Sequence, residues 1–191
     1  MGFRKIDNYL NIYATGDLHL SHTLNRSIQK RGFNNPEQHN TFIRNQINSV
    51  VKSKSDILIL GGDLGDIDIL RWFLPSLTSC NIQIIIGNHD HKKELMSLRD
   101  IKSVSRIEDS ISIKYGENDF FLAHHPHLEF PGFYRNSYHI HFHTHGTLKP
   151  YLRAMDFGLD NCDMKPRLIT DIVELRSQYS NIDEYGKRIE L

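Results

Sequence analysis

Three short apolar runs constrain this 191-residue chain more than any other feature. Asn11–Ala14, Asp56–Leu60 and Ile82–Ile86 each lead into glycine and a polar cluster, TGDLH, GGDLGD and GNHD. Runs this short and unbroken suit strands covered on both faces, as in a parallel sheet, because a strand with one wet face would alternate. Between the first two lies a helix signal. Asn35 is placed to cap it, Pro36 suits the first helical position, and Gln38 can close a capping box. Ile43, Ile47, Val50 and Val51 then follow at i, i+4, i+7 and i+8, a single apolar stripe. A shorter helix is predicted over Ile67–Leu74, ending near Pro75. Strand–helix–strand alternation of this kind means βαβ units with right-handed crossovers.

The texture then changes. The sequence predicts a short helix near His91–Arg99 and a hairpin of Ser110–Tyr115 with Asp119–Ala123 around a Gly-Glu-Asn turn. Strands at His139–Phe142 and Arg153–Gly158 follow, and a last helix over Thr170–Tyr179 capped by Thr170. The second half thus reads as more antiparallel than the first, and two packed sheets in one domain, residues 1–191, accommodate both. Leu, Ile, Val and Phe together exceed the roughly one-fifth below which a chain struggles to bury a core. No apolar run approaches the ~18 residues of a membrane span. Met1–Leu10 holds Arg4, Lys5 and Asp7 in place of a secretory signal's apolar stretch. Cys80 and Cys162 stand far apart, outside any metal-type spacing. The expectation is a cytoplasmic protein with no membrane partner and no disulfide framework. Its 23 Lys+Arg balance 23 Asp+Glu, which argues against a protein whose main task is gripping duplex nucleic acid.

Twelve histidines accompany that neutral total, and their placement is uneven. The clusters after the three runs supply Asp17 and His19, then Asp63, then Asn88, His89 and Asp90. His124 ends the run FFLAH, and His143 and His145 stand in HTH. Open α/β sheets gather ligand sites at the C-terminal edge of their strands. Carboxylate, imidazole and amide oxygen suit Mn²⁺, Fe, Zn²⁺ or Ni²⁺ in five- or six-fold coordination better than a structural zinc, which favours thiolates.

In the order Asp17-x-His19, Gly62-Asp63, Gly87-Asn88-His89-Asp90, His124 and His143-x-His145, the chain resembles the calcineurin-like metallophosphoesterase superfamily over about residues 12–160. It is most similar to small prokaryotic and phage members, sharing a D-x-H-x-x-H opening (Asp17, His19, His22) and a short H-x-P segment (His124, His125, Pro126). The resemblance implies an α/β fold, a four-layer αββα sandwich of two mixed β-sheets flanked by helices, with a dinuclear metal site at the strand C-terminal ends. It implies one divalent ion on Asp17, His19, Asp63 and His145, and a second on Asp63, Asn88, His124 and His143, with Asp63 bridging and Mn²⁺ the first choice. Two such ions about 3.5–4 Å apart clamp a phosphate and lower the pKa of a bridging water, so that hydroxide attacks phosphorus in line. His89 would be the general acid on the leaving oxygen, with Asp90 orienting its ring. One residue departs from the pattern: Phe142 stands where Gly-His-x-His has glycine. An ordinary β conformation and a bulkier wall beside the second metal are expected there.

Other residues keep two readings. His139, His141, His143 and His145 would share one face of a strand. They form either a four-histidine metal tract or a set in which only His143 and His145 reach the metals. His125 competes with His124, and the strand FFLAH favours His124. His39 is assigned to packing beside Ile43. His22 either contacts the substrate phosphate or is a loop residue. The segment FPGFYR offers Arg135 for substrate contact, against a loop folded over its own aromatic cluster. Only 33 residues separate Asp90 from His124, too few for a folded cap. An open cleft then admits a phosphorylated small molecule, a nucleotide or a phosphopeptide as substrate, through monoester or diester hydrolysis. The alternatives are a nuclease that processes nucleic-acid ends and a non-catalytic metal-binding interaction scaffold. The oligomeric state stays open.

Overall fold

The computed structural model describes residues 2–7, 9–79 and 81–177. β1 (Arg4–Ile6) and β2 (Ile12–Thr15) lead into α1 (Arg26–Lys30) and α2 (Pro36–Val50). β3 (Ile57–Leu60), α3 (Ile67–Phe73), β4 (Asn81–Ile85), α4 (Lys92–Ser97) and β5 (Val104–Glu108) continue the alternation. β6 (Ser110–Tyr115), β7 (Asn118–Ala123), β8 (Tyr138–His141), β9 (Ala154–Asp156), β10 (Arg167–Leu168) and α5 (Asp171–Ser177) complete the order. Asn35 caps α2 as expected, its Oδ1 accepting from the N–H groups of Glu37 and Gln38. Thr170 stands just before α5, and Tyr179 lies outside the described residues.

Two five-stranded mixed sheets result, ordered β10-β2-β3-β4-β5 and β1-β6-β7-β8-β9. In the first, β2 to β5 run parallel and β10 is antiparallel to β2. The unbroken runs are unbroken because both faces are covered. Leu58, Leu60, Ile82 and Ile84 pack against Ile43, Ile47 and Val51 of the α2 segment and Leu70 and Phe73 of α3. Ile57 and Ile59 point the other way, with Ile12 and Ala14, into a core shared with Ile111, Phe120, Leu122 and Ile140 of the second sheet. Val50 is only half-buried, so the α2 stripe runs through Ile43, Ile47 and Val51. Packing is confirmed for His39: it is buried against the Phe33 ring. Cys162 is buried and free of any disulfide. No described helix is long and apolar enough to cross a membrane.

The second half is less antiparallel than its sequence suggests. Only β6 and β7 form a hairpin; β1 runs parallel to β6, β8 to β7, and β9 to β8. The crossover from β7 to β8 uses a loop with a single 3-10 turn at Phe133–Arg135 in place of an α-helix, so the usual helical sign of a parallel connection is missing. That loop buries Phe130 with Phe121 and Ala123 on the outer face of the second sheet. As a result β2, β3, β4, β7, β8 and β9 all end near one edge, with Thr15 opposite Leu60 and Leu60 opposite Ile84. Residues 91–123 form α4 and strands of both sheets, and so no cap is built from them.

Candidate metal centre

The loops leaving those strand ends interlock. The N–H of Asp17 donates to the Gly62 carbonyl at 2.9 Å, that of His19 to the Asp63 carbonyl at 2.9 Å, and that of Phe142 to the His124 carbonyl at 3.0 Å. A Cβ on Gly87 would overlap the Asp63 carboxylate and backbone, so glycine there is a requirement of close approach. Five of the seven expected ligands carry left-handed backbone: Asp17 (φ 57), His19 (φ 49), Asp63 (φ 51), His143 (φ 70) and His145 (φ 49). For residues other than glycine this costs about 1–3 kcal/mol each, and it persists where surrounding structure imposes it, most often at functional sites.

The side chains converge in overlapping groups. One donor atom each from Asp17, His19 and His145 lies within 4.8 Å of the others, and the same holds for Asp17, Asp63 and His124, and for His124, His125 and His143. Asn88 joins through its Oδ1, 2.9 Å from His124 Nε2. Asp17 is fully buried, and both its oxygens face the His143 N–H, at 3.1 and 3.0 Å. Burial pushes its carboxyl up to about 7. Asp63 is equally enclosed, but hydrogen bonds from the His124 ring and the His89 N–H outweigh burial and hold its carboxyl at about 2. Burial lowers the His19 imidazole to about 4.

These donors fit a cation. His124 Nδ1 faces the Gly61 carbonyl at 2.8 Å and donates to it. Its Nε2 faces Asn88 Oδ1 at 2.9 Å and Asp63 Oδ2 at 3.4 Å. Without a cation Nε2 is protonated and donates there, and a cation would take the place of that proton. His145 Nδ1 faces Asp160 Oδ2 at 2.6 Å, so its Nε2 lone pair meets His19 Nε2 at 3.3 Å. Two ring nitrogens this close need a hydrogen on one of them, or a cation between them, because lone pair against lone pair is repulsive. Without a cation, the Asp63 and Gly61 partners raise the His124 imidazole despite its burial, and the Asp160 bond raises that of His145.

Residues 10–160 match the sequence profile of calcineurin-like phosphoesterases. The chain belongs to that family. Divalent-metal binding and hydrolysis of phosphoester bonds come with membership. No curated protein matches the phosphoesterase in sequence. Among solved structures, a protein of unknown function from Aquifex aeolicus superposes with a TM-score of 0.67 at 20% identity, covering 87% of this chain and 99% of its own. An archaeal phosphodiesterase superposes with a TM-score of 0.54 at 21% identity, covering 80% and 85%. At these identities the likeness is one of fold, and it agrees with the two-sheet α/β architecture expected from the motifs.

The remaining expected residues sort clearly. His89 is exposed beside the His19 ring, on a cleft of about 840 Å³ that His19, His22, Asp63, Asp90 and His91 also line. Among the described residues Asp90 has backbone partners, and no hydrogen bond to the His89 ring is present. Its carboxylate accepts from the N–H groups of Gly87, Asp63 and Leu64, at 2.8, 2.9 and 2.9 Å, pinning two ligand loops together. Arg135 is exposed on a depression lined by Glu129–Arg135, and the same loop packs Phe130 and Phe133 with Phe121 and Ala123. His139 and His141 lie on β8 and are buried, with His139 accepting from the His127 N–H. The strand ends at His141, so no four-histidine face forms.

Phe142 lies just past the end of β8 and is not among the residues with positive φ, and it builds no wall in the cleft. Its ring is fully buried in the core between the sheets, against Gly16 and Gly61. A Cβ on Gly16 would come within 2.6 Å of Phe142 Cδ1, and one on Gly61 would overlap the ring. Phe142→Ala should cost about 3–5 kcal/mol in urea unfolding. Gly61→Ala should be tolerated better in that background than alone, and additive costs would disprove the fit.

Sequence reasoning passed over Arg31, Asn25, Asp156 and Asp160. Asp156 accepts from the Thr144 hydroxyl at 2.6 Å and the Gly146 N–H at 2.9 Å, and so shapes the turn between His143 and His145. Both aspartates end or follow β9, where the strand-end rule that found the ligands would have found them too. Arg31 had no local signal, because its carboxylate partner lies 129 residues away.

Proposed function

We propose that this chain hydrolyses phosphomonoesters or phosphodiesters with two divalent cations sharing Asp63. The position of Asp63 supports this most. Its Oδ1 is held by the His89 N–H at 2.9 Å while Oδ2 faces His124, and its carboxylate lies in a donor group with Asp17. Asp17, His19, Asp63 and His145 would hold one cation, and Asp63, Asn88, His124 and His143 the other, with Mn²⁺ the first choice for a mixed carboxylate–imidazole set. Held there, two divalent ions would supply Lewis-acid polarisation of the phosphoryl group and would ease attack by water near neutral pH.

The protein supplies the rest. The His89 ring, exposed on the cleft, passes its proton to the leaving oxygen while its main chain steadies Asp63. Asp90 acts at one remove by fixing the Gly87 and Asp63 amides. His22, on the same cleft, meets the substrate phosphate. With no cap built between Asp90 and His124, the cleft admits nucleotides, cyclic nucleotides and phosphopeptides alike.

Mn²⁺-loaded protein should turn over aryl phosphomonoesters, aryl phosphodiesters or 2′,3′-cyclic nucleotides faster than an Asp63→Ala control. Equal rates on all three classes would overturn the reading. His89→Ala should slow esters with poor leaving groups by roughly 10²–10⁴-fold and spare 4-nitrophenyl esters. Both metals should stay bound, and their loss would make His89 a binding residue instead of an acid.

A further inference from the structure

Behind the loop that follows β2 lies a set of side chains that the hydrolytic scheme does not use. Arg31, just past α1, has a side chain only 4% exposed. Its Nη2 donates to the Asp17 carbonyl at 2.6 Å and its Nη1 to the Leu18 carbonyl at 3.0 Å. Its Nε and Nη2 also grip Asp160 in a two-pronged pair, at 2.9 Å to Oδ1 and 2.7 Å to Oδ2. Asp160 Oδ2 in turn accepts from His145 Nδ1. On its other side Arg31 Nη1 faces His39 Nε2 at 3.2 Å, and His39 Nδ1 faces Asn40 Oδ1 at 3.2 Å. Asn40 Nδ2 reaches the Ser21 carbonyl at 3.0 Å, and Asn25 Nδ2 the His19 carbonyl at 3.3 Å. The loop carrying Asp17 and His19 is thus held by its carbonyls from behind, and the same guanidinium reaches His145 through one carboxylate.

Only arginine fits this position. Its planar fork offers five donors in fixed directions, whereas an ammonium is a single point of charge. The pair is only partly enclosed, with the Asp160 side chain 23% exposed, and such a pair is a poor way to gain stability because lost hydration offsets most of the attraction. What the pair does supply is direction. His145 sits on left-handed backbone at a half-open position, and its bond to Asp160 decides which ring nitrogen faces His19.

We propose that Arg31 and Asp160 are positioning residues, a relay anchored on the enclosed Arg31 side chain that fixes the tautomer of His145 and the path of the Asp17–His19 loop, so that one half of the centre is formed before a cation arrives. The relay serves that half alone, because His124 is oriented separately by the Gly61 carbonyl. The proposal rests on reading Asp17, His19 and His145 as donors to one cation.

Calorimetric titration with Mn²⁺, repeated with Co²⁺, should resolve two binding steps in the wild type. Asp160→Asn keeps the shape but not the charge, and should weaken one step roughly 10–100-fold while leaving the other unchanged. Arg31→Lys keeps the charge but not the fork, and should do the same, which gives a second variant should Asp160→Asn fail to fold. Asp163→Asn, on an exposed neighbour outside the relay, should change neither step. In the metal-free protein at alkaline pH, long-range ¹H–¹⁵N spectra should show His145 protonated at Nδ1, shifting toward Nε2 in Asp160→Asn. An Nε2–H tautomer in the wild type, or variants that weaken both steps equally or neither, would overturn the relay. A wild type that binds no metal yet shows the Nδ1–H tautomer would overturn the reading of the centre and leave the relay standing.

Discussion

Asp63→Asn is expected to lower kcat/KM on an aryl phosphodiester roughly 10³-fold or more and to abolish tight metal uptake at both positions. The amide offers one acceptor where the carboxylate offers two, and it carries no charge. Its Oδ1 can still accept the His89 N–H, so the loop after β3 should keep its path and circular dichroism should not change. The face toward His124 Nε2 becomes a donor or loses its charge, and neither state can help hold a cation there. Metal ions contribute several kcal/mol of charge stabilisation in the transition state, and each 1.36 kcal/mol is tenfold in rate. Equilibrium dialysis with Mn²⁺ beside the kinetics checks both halves of the expectation. A variant retaining one full equivalent of metal and near-normal turnover would show that Asp63 is not shared.

Asp17→Asn should separate stability from function in the opposite direction. The folded carboxyl sits at about 7, raised by burial, against about 4 in the unfolded chain. At pH 4 it is protonated in the folded state and about half protonated in the unfolded one, so it costs little. As the pH rises past the unfolded value, the unfolded chain ionises freely and the folded chain cannot, so stability falls until the pH passes 7. Asparagine has no such penalty. The Tm of metal-free Asp17→Asn minus that of metal-free wild type should therefore climb between pH 4 and pH 8 by roughly 5–10 °C, equivalent to a few kcal/mol. The extra amide donor, stranded in a buried site, costs about 1–3 kcal/mol at every pH and shifts the whole difference without changing its rise. Groups titrating alike in both proteins cancel. Added Mn²⁺ at a hundredfold excess over its Kd should then raise the wild type by about 2.7 kcal/mol for each position filled, and the variant by about one position's worth less. A flat difference curve would mean that Asp17 ionises in the folded protein without strain.

The strand ends were legible because both-face burial leaves an unmistakable pattern: Ile57–Leu60 is apolar throughout, and the polar residues begin where the sheet stops. The ligand types followed from the same edge, since each strand there ends in one or two side chains with lone pairs. What could not be read was how those residues are held. Left-handed backbone at Asp17, Asp63 or His143 leaves no trace in a sequence that places aspartate and histidine there in place of glycine. The role of Asp90 depends on three amides from two loops, and that of Arg31 on a carboxylate far along the chain. The parallel pairing of β7 with β8 was hidden because a crossover without an α-helix resembles a long hairpin. β1 and β10, at three and two residues, are too short to carry any period.

The ring of Phe142 has one more consequence. Gly16 and Gly61 leave the first sheet on their way to Asp17 and Asp63, while Phe142 leaves the second on its way to His143. An aromatic ring lying between them acts as a spacer of fixed thickness, and the two banks of donors stand apart by what that thickness allows. With Phe142 in place, Gly16 and Gly61 must stay glycine, since a Cβ on either would meet the ring. The gauge of the centre is set in the dry interior, one residue away from the chemistry it calibrates.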